Sequence, residues 1–277
     1  MKWILAILCG LALQAGAITN GVFATKDPYV VESATMPFDT WTNSVLWLTA
    51  NSPVLNSGAT NAQWICYAKN CVGNAFQTST GYQPSTVDGI GSVKAIRFDG
   101  TDDYLSVVTS PAFSGTNSWA MSTWVNISSW PTGAVVKTLF SVSSTNNNQR
   151  SWLLNIRGPS ATFGDLLMPS YSQEGQTYGA NTNASISKTV ATNGWVNVAL
   201  SVRSGRYITI AADGVARAEV DMLGTLYAST SSFTFASSAN VTTLTAYDLS
   251  EFSFFNRTLS TNEIASMFNS KKARYGK

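Results

Sequence analysis

The sequence contains no histidine. That removes Ser-His-Asp and Cys-His nucleophilic catalysis, and with them every His-ligated zinc or iron site. Charge is scarce too. Asp, Glu, Lys and Arg make up 12% of the chain, about half the usual share. The balance is +2, with no basic stripe. A nucleic-acid partner needs a concentrated positive surface, so that class is excluded. Cysteine is limited to three residues. The apolar run Trp3–Leu13 is too short for a comfortable membrane span. Carboxylate chemistry, or no chemistry, is what remains.

What is present reads as strand and turn. Hydrophobic residues make up 44% of the chain, too many for a disordered polymer. Ser, Thr, Asn and Gly supply an uncharged polar surface. The length of 277 residues suits one large all-β domain or two small ones. Residues 1–17 read as a secretory signal: Lys2 is the positive start, Trp3–Leu13 the apolar segment, and Ala15-Gly16-Ala17 the small-residue cleavage site. The mature chain is then secreted or held at a cell surface, without a membrane span. Residues 18–42, with Pro28 and Pro37, form an N-terminal arm of no legible function. In an exported chain, Cys66 and Cys71 pair as a local disulfide closing a small loop.

The stretch Ile96-Arg97-Phe98-Asp99-Gly100-Thr101-Asp102-Asp103-Tyr104-Leu105 predicts two short strands joined by a tight acidic turn. Gly100 takes positive φ without steric cost. Adjacent carboxylates repel unless a donor or a cation offsets them, so Asp102 and Asp103 are candidate oxygen ligands for calcium as well as plain residents of a solvated hairpin tip. Further on, Trp119, Met121, Thr123 and Val125 share one strand face and Ala120, Ser122, Trp124 and Asn126 the other. Large residues on both faces predict a strand covered on both sides. Residues 194–220 predict a three-stranded meander, turning at Arg203–Arg206 and at Asp213-Gly214. Ser260-Thr261-Asn262-Glu263 is a capping box, so a short helix should start near Thr261 and bury Ile264, Met267 and Phe268. Residues 158–192 carry Pro159, Gly164, Pro169, Gly175 and Gly179 and show no period.

Phe98-Asp99-Gly100-Thr101-Asp102-Asp103-Tyr104-Leu105 resembles the signature of laminin-G-like jelly-roll domains in the concanavalin A-like lectin/glucanase superfamily. Matching pieces follow in order: Val45–Ala50, Trp119–Val125, Gly194–Leu200, Ala212–Val215, and Leu249–Phe252 with Asn256–Ser260, Glu263 and Ile264. The resemblance implies an all-β, two-sheet antiparallel jelly-roll sandwich over residues 43–277, closed by a short C-terminal helix. It also implies an exported, non-catalytic, lectin-like carbohydrate-binding protein with one structural calcium ion. Ser250 stands where several relatives carry Asp, which weakens the calcium expectation. Planar rings cover the C–H face of a sugar and amides bond its hydroxyls, so Trp130, Tyr171 and Tyr178, set among loop residues, are the candidate glycan ligands, with ordinary loop packing as the alternative.

Two other functions stay open. One is a structural or adhesion module of a cell surface or virion that binds a protein partner. The other is a glycoside hydrolase. Glucanases of this superfamily place carboxylates at E-x-D-x-E or E-x-D-x-x-E spacing on one strand. Here Glu219-Val220-Asp221 is followed by Met222, Leu223 and Gly224, so the second glutamate is missing and a non-enzyme is expected.

Overall fold

A computed structural model describes residues 44–51, 54–57, 60–115, 117–144, 148–159, 164–180, 184–191, 194–237 and 244–277. The expected signal (1–17) and the expected arm (18–42) lie outside the described residues.

In chain order the described strands are β1 (Ser44–Thr49), β2 (Val54–Ser57), β3 (Thr60–Trp64), β4 (Ala75–Phe76), β5 (Ser85–Asp88), β6 (Lys94–Asp99), β7 (Leu105–Val107), β8 (Trp119–Asn126) and β9 (Val136–Val142). They continue with β10 (Trp152–Arg157), β11 (Leu166–Tyr171), β12 (Gly179–Ala180), β13 (Ile186–Ser187), β14 (Val196–Arg203), β15 (Tyr207–Ala212), β16 (Val215–Asp221), β17 (Phe233–Phe235) and β18 (Ala246–Phe255). Two helices join them, α1 (Lys188–Ala191) and α2 (Thr261–Lys271).

All pairings are antiparallel and sort into two layers. In the first, β18 pairs with β1 and β6 along one side and with β8 along the other; β8–β14–β15–β16 continues outward, and β5 flanks β6. In the second the order is β2–β3–β4–β7–β17–β9–β10–β11, with β12 and β13 at its far side. Single bridges, Thr60 to Ser85 and Leu48 to Cys66, tie the layers at one side. This is the jelly-roll sandwich.

Period-two alternation explains the core. Val196, Val198, Leu200 and Val202 of β14 and Ile208 and Ile210 of β15 are buried between the sheets, as the meander predicts. They meet Phe140, Trp152, Phe233 and Phe235 from the facing sheet, with Phe252 and Phe254 of β18 in their own sheet completing the cluster. Aromatic edges and faces interlock there; the Phe233 and Phe235 rings sit 4.9 Å apart at 84°. Strand β8 is covered on both sides, as expected. Trp119, Met121 and Val125 face the inter-sheet core, while Trp124 packs under the C-terminal segment, its ring stacked 3.9 Å from Tyr275.

Helix α2 begins at Ser260 with the expected box: the Ser260 hydroxyl accepts from the Glu263 N–H, and the Glu263 carboxylate accepts from the Ser260 N–H at 2.8 Å. Gly214 turns the β15–β16 hairpin at φ +74°, and a Cβ there would come within 2.8 Å of the Phe268 ring. Only glycine fits both demands.

Two expectations change. Strands β6 and β7 are not a hairpin. β6 pairs in the first sheet and β7 in the second, so the acidic turn is a corner carrying the chain between layers. Part of the irregular stretch is strand β11, with Pro169 inside it. Proline is tolerated because β13 pairs beside Leu166 and Leu167 and β12 beside Ser170 and Tyr171, so Pro169 falls between the two ladders. The Lys271 side chain of α2, 9% exposed, pairs with Glu251 on β18.

Candidate functional site

The acidic corner is built by its own backbone. Gly100 sits at φ +79°, and a Cβ there would lie 2.6 Å from the Ala246 nitrogen. The chain therefore folds back against β18 only with glycine at this position. Asp99 Oδ1 accepts from the Thr101 N–H at 2.7 Å, and Asp103 Oδ2 accepts from the Asp99 N–H at 3.0 Å. These bonds gather Asp99, Asp102 and Asp103, whose nearest carboxylate oxygens lie within 4.8 Å of one another. Asp103 is 9% exposed. Burial, with the Asp99 and Asp102 charges adding to it, pushes its carboxyl up to about 6 against the opposing pull of the Asp99 N–H. Three oxygen donors short of positive charge fit a hard, oxygen-ligated cation. Sequence reasoning named Asp102 and Asp103. Asp99 joins them through the bond from its N–H to Asp103, a contact that the Asp-Gly turn signal only hints at.

The three candidate ligand rings do not form one group. Trp130 packs against the inter-sheet core, with Lys188 Nζ 5.7 Å from its ring centre. Its indole N–H is buried and without a partner. It lies at the Arg157 end of β10, where Gly158 presses against the Pro131 and Gly133 carbonyls. Tyr171 is at the other end, opposite Trp152, also partly packed on the core, with its hydroxyl accepting from the Leu223 N–H at 3.4 Å. Tyr178 immediately precedes Gly179 of β12, which pairs with Tyr171, and it donates to the Ser143 hydroxyl; burial pushes its phenol up to about 12. Five strand steps, roughly 17 Å, separate the two ends.

Exposed rings lie elsewhere. Of the described aromatic residues, Phe76 and Tyr82 are the exposed ones, at 39% and 43%. Phe76 is in β4 of the second sheet, beside β7, and Tyr82 is in the 3-10 turn Thr80–Tyr82 that follows β4. The Tyr82 ring is 6.0 Å from that of Tyr104.

The described glutamates all accept hydrogen bonds from this chain. Glu174 accepts from Thr177 Oγ1 and Glu219 from Thr209 Oγ1, each at 2.9 Å. Glu251 lies beneath α2, where it pairs with Lys271 and accepts from Trp47 Nε1 at 3.0 Å. Glu263 is held by the capping box and by Arg257 Nη2 at 2.7 Å. Cys66 and Cys71 are joined as a disulfide, with Cα atoms 6.2 Å apart. No described helix is long and apolar enough to cross a membrane.

Comparison with known proteins follows this geometry. The sequence model of the concanavalin A-like lectin/glucanases superfamily matches residues 99–265. No curated protein matches. Among solved structures, the binding domain of Paraclostridial Mosquitocidal Protein 1 is similar at TM-score 0.58 and 17% identity, over 82% of this chain and 52% of that one. Domain 4 of AbnA, a GH43 extracellular arabinanase from Geobacillus stearothermophilus solved with arabinotriose, is similar at TM-score 0.54 and 15% identity, over 81% of this chain and 98% of that one. The binding domain of Botulinum neurotoxin DC in complex with rat synaptotagmin II is similar at TM-score 0.51 and 15% identity, over 82% and 51%. The chain thus spans about half the length of the toxin domains it matches.

Proposed function

Because this chain belongs to the concanavalin A-like lectin/glucanase superfamily, we propose that it is an exported, non-catalytic carbohydrate-binding module. The observation that carries the non-catalytic part of this reading is the engagement of every described glutamate in the scaffold. A glycosidase needs two carboxyl groups roughly 5–9 Å apart across the scissile bond, free to trade protons. Here the glutamates cap a helix, anchor it to a sheet, or bond a neighbouring threonine. Similar folds solved with arabinotriose and with synaptotagmin II add support for binding, and name the two classes of partner worth testing.

Asp99, Asp102 and Asp103 would hold one structural calcium ion, which would fix the corner between the sheets. Trp130, Tyr171 and Tyr178 remain proposed contacts. Their separation assigns Trp130 to a different contact from the two tyrosines.

Glycan-array binding of the chain from residue 18, with calcium and then with chelator, tests the reading. Binding to a defined polysaccharide is expected. Silence in both conditions would overturn it in favour of an adhesion module, whose protein partner a pull-down would then recover.

A further inference from the structure

Most of the described aromatic rings are buried in the core: Trp64, Phe98, Phe113, Phe140, Phe233, Phe235 and Phe252 are among the fully buried side chains. Phe76 and Tyr82 break that pattern, and the strand register places them together. Phe76 is directly opposite Ser106 of β7 and opposite Gln63 of β3. Leu105 and Val107 are buried, so Ser106 and, one step before the strand, Tyr104 turn to the outer face that Phe76 shares. Phe76 and Tyr104 are then diagonal neighbours, roughly 7–8 Å apart. Tyr104 meets Tyr82 at 6.0 Å between ring centres, at an interplanar angle of 36°.

The Tyr82 turn is held in place. Tyr82 follows Thr80 and Gly81 in a single 3-10 turn. The Gln77 side chain accepts from the Ser79 N–H at 2.9 Å, the buried Gln83 amide donates to the Gln77 carbonyl at 2.8 Å, and the Tyr104 N–H donates to the Tyr82 carbonyl at 3.1 Å. The three rings therefore form a fixed band on the outer face of the second sheet, with the Gln63 amide and the Ser106 hydroxyl beside them.

We propose that Phe76, Tyr104 and Tyr82 form a stacking platform for an uncharged polysaccharide, with Gln63 and Ser106 bonding its hydroxyls. Two exposed rings, Phe76 on the sheet and Tyr82 on the adjoining turn, with the half-buried Tyr104 beside them, offer apolar faces to the C–H faces of successive sugars. Side-chain amide and hydroxyl groups supply both donors and acceptors, as sugar hydroxyls require. Asp102 and Asp103 immediately precede Tyr104 in the chain, and negative charge at that end of the band opposes sialylated or sulfated chains. This inference rests on the carbohydrate-binding reading and gives it a place and a ligand class.

The test is titration of the full mature chain with arabinan, galactan and β-glucan, and with heparin and sialyllactose as anionic comparators. Wild type, F76A, Y82A and W130A are compared, with melting temperature as the check on folding. The expected result is binding to an uncharged polysaccharide that falls at least tenfold in F76A and in Y82A, at unchanged melting temperature. Full binding in F76A and Y82A overturns the platform and leaves the broader reading standing, the more so if W130A abolishes binding. Anionic ligands bound through these rings overturn the ligand class. No binding by wild type to any of the panel overturns platform and broader reading together.

Discussion

Asp103 concentrates the residue-scale physics. Its carboxyl is pushed up to about 6 from an ordinary 3.8. The folded chain holds that proton more tightly than the unfolded chain, so stability falls as pH rises from about 4 through about 6. Above that range the ionised carboxylate is a cost, unless a cation shares the site. The two conditions give opposite signs for one substitution. In chelator at pH 7, D103N should match or exceed wild type, by on the order of 1 kcal/mol, since an amide oxygen can still accept from the Asp99 N–H. In millimolar calcium, wild type should rise in melting temperature and D103N should not. Differential scanning calorimetry in both buffers measures this. A wild-type melting temperature unmoved by calcium would dismiss the metal. Part of this was legible in the sequence: Asp-Gly announced a turn and Asp102-Asp103 a charge problem. Asp99 as third member, and the turn as a corner between sheets, were not, because strand pairing is decided by distant β17 and β18.

At the scale of the element, α2 is held by two ionic contacts of different character. Arg257, with help from the Ser260 N–H and hydroxyl, draws the Glu263 carboxyl down to about 2 from 4.5. A depressed carboxyl contributes stability that is complete above about 4.5 and is lost as pH falls toward about 2. The Glu263 side chain is 31% exposed, so solvent screening trims the contribution to on the order of 1 kcal/mol. E263Q keeps the capping geometry, so urea unfolding should show it about that much weaker at pH 7 and equal to wild type near pH 2. The Lys271–Glu251 pair is different, with side chains 9% and 5% exposed. K271A strands a buried carboxylate and should cost about 3–5 kcal/mol, whereas E251Q combined with K271M should cost far less. A mild K271A would mean that water reaches the pair. The capping box was readable because it is local. The buried pair was not: helical period predicts which face turns inward, not which carboxylate waits on the sheet.

For the whole molecule, the sandwich follows from alternation and from turns such as Asp213-Gly214, which is why β14–β16 is legible residue by residue. Exposure of Phe76 and Tyr82 is not legible that way, since a two-residue strand and a single 3-10 turn carry too little pattern to fix a face. The sheets must also end somewhere. β16 pairs with β15 on one side and carries the exposed charges Arg217, Glu219 and Asp221. Charges on an edge discourage pairing with a second chain. Replacing all three with threonine should leave the fold intact and shift the protein to concentration-dependent oligomers, seen by light scattering. An unchanged monomer would show that the edge is guarded by something else.

Strand β18 has a consequence in time as well as in space. It is the partner of β1, β6 and β8 at once, and each of these lies far from it along the chain. Such distant pairings form slowly, because the entropy of closing a long loop is lost before any contact offsets it. The β14–β15–β16 hairpins are local and need no such closure. Refolding from denaturant should therefore be paced by the docking of β18, with the meander already formed when it arrives.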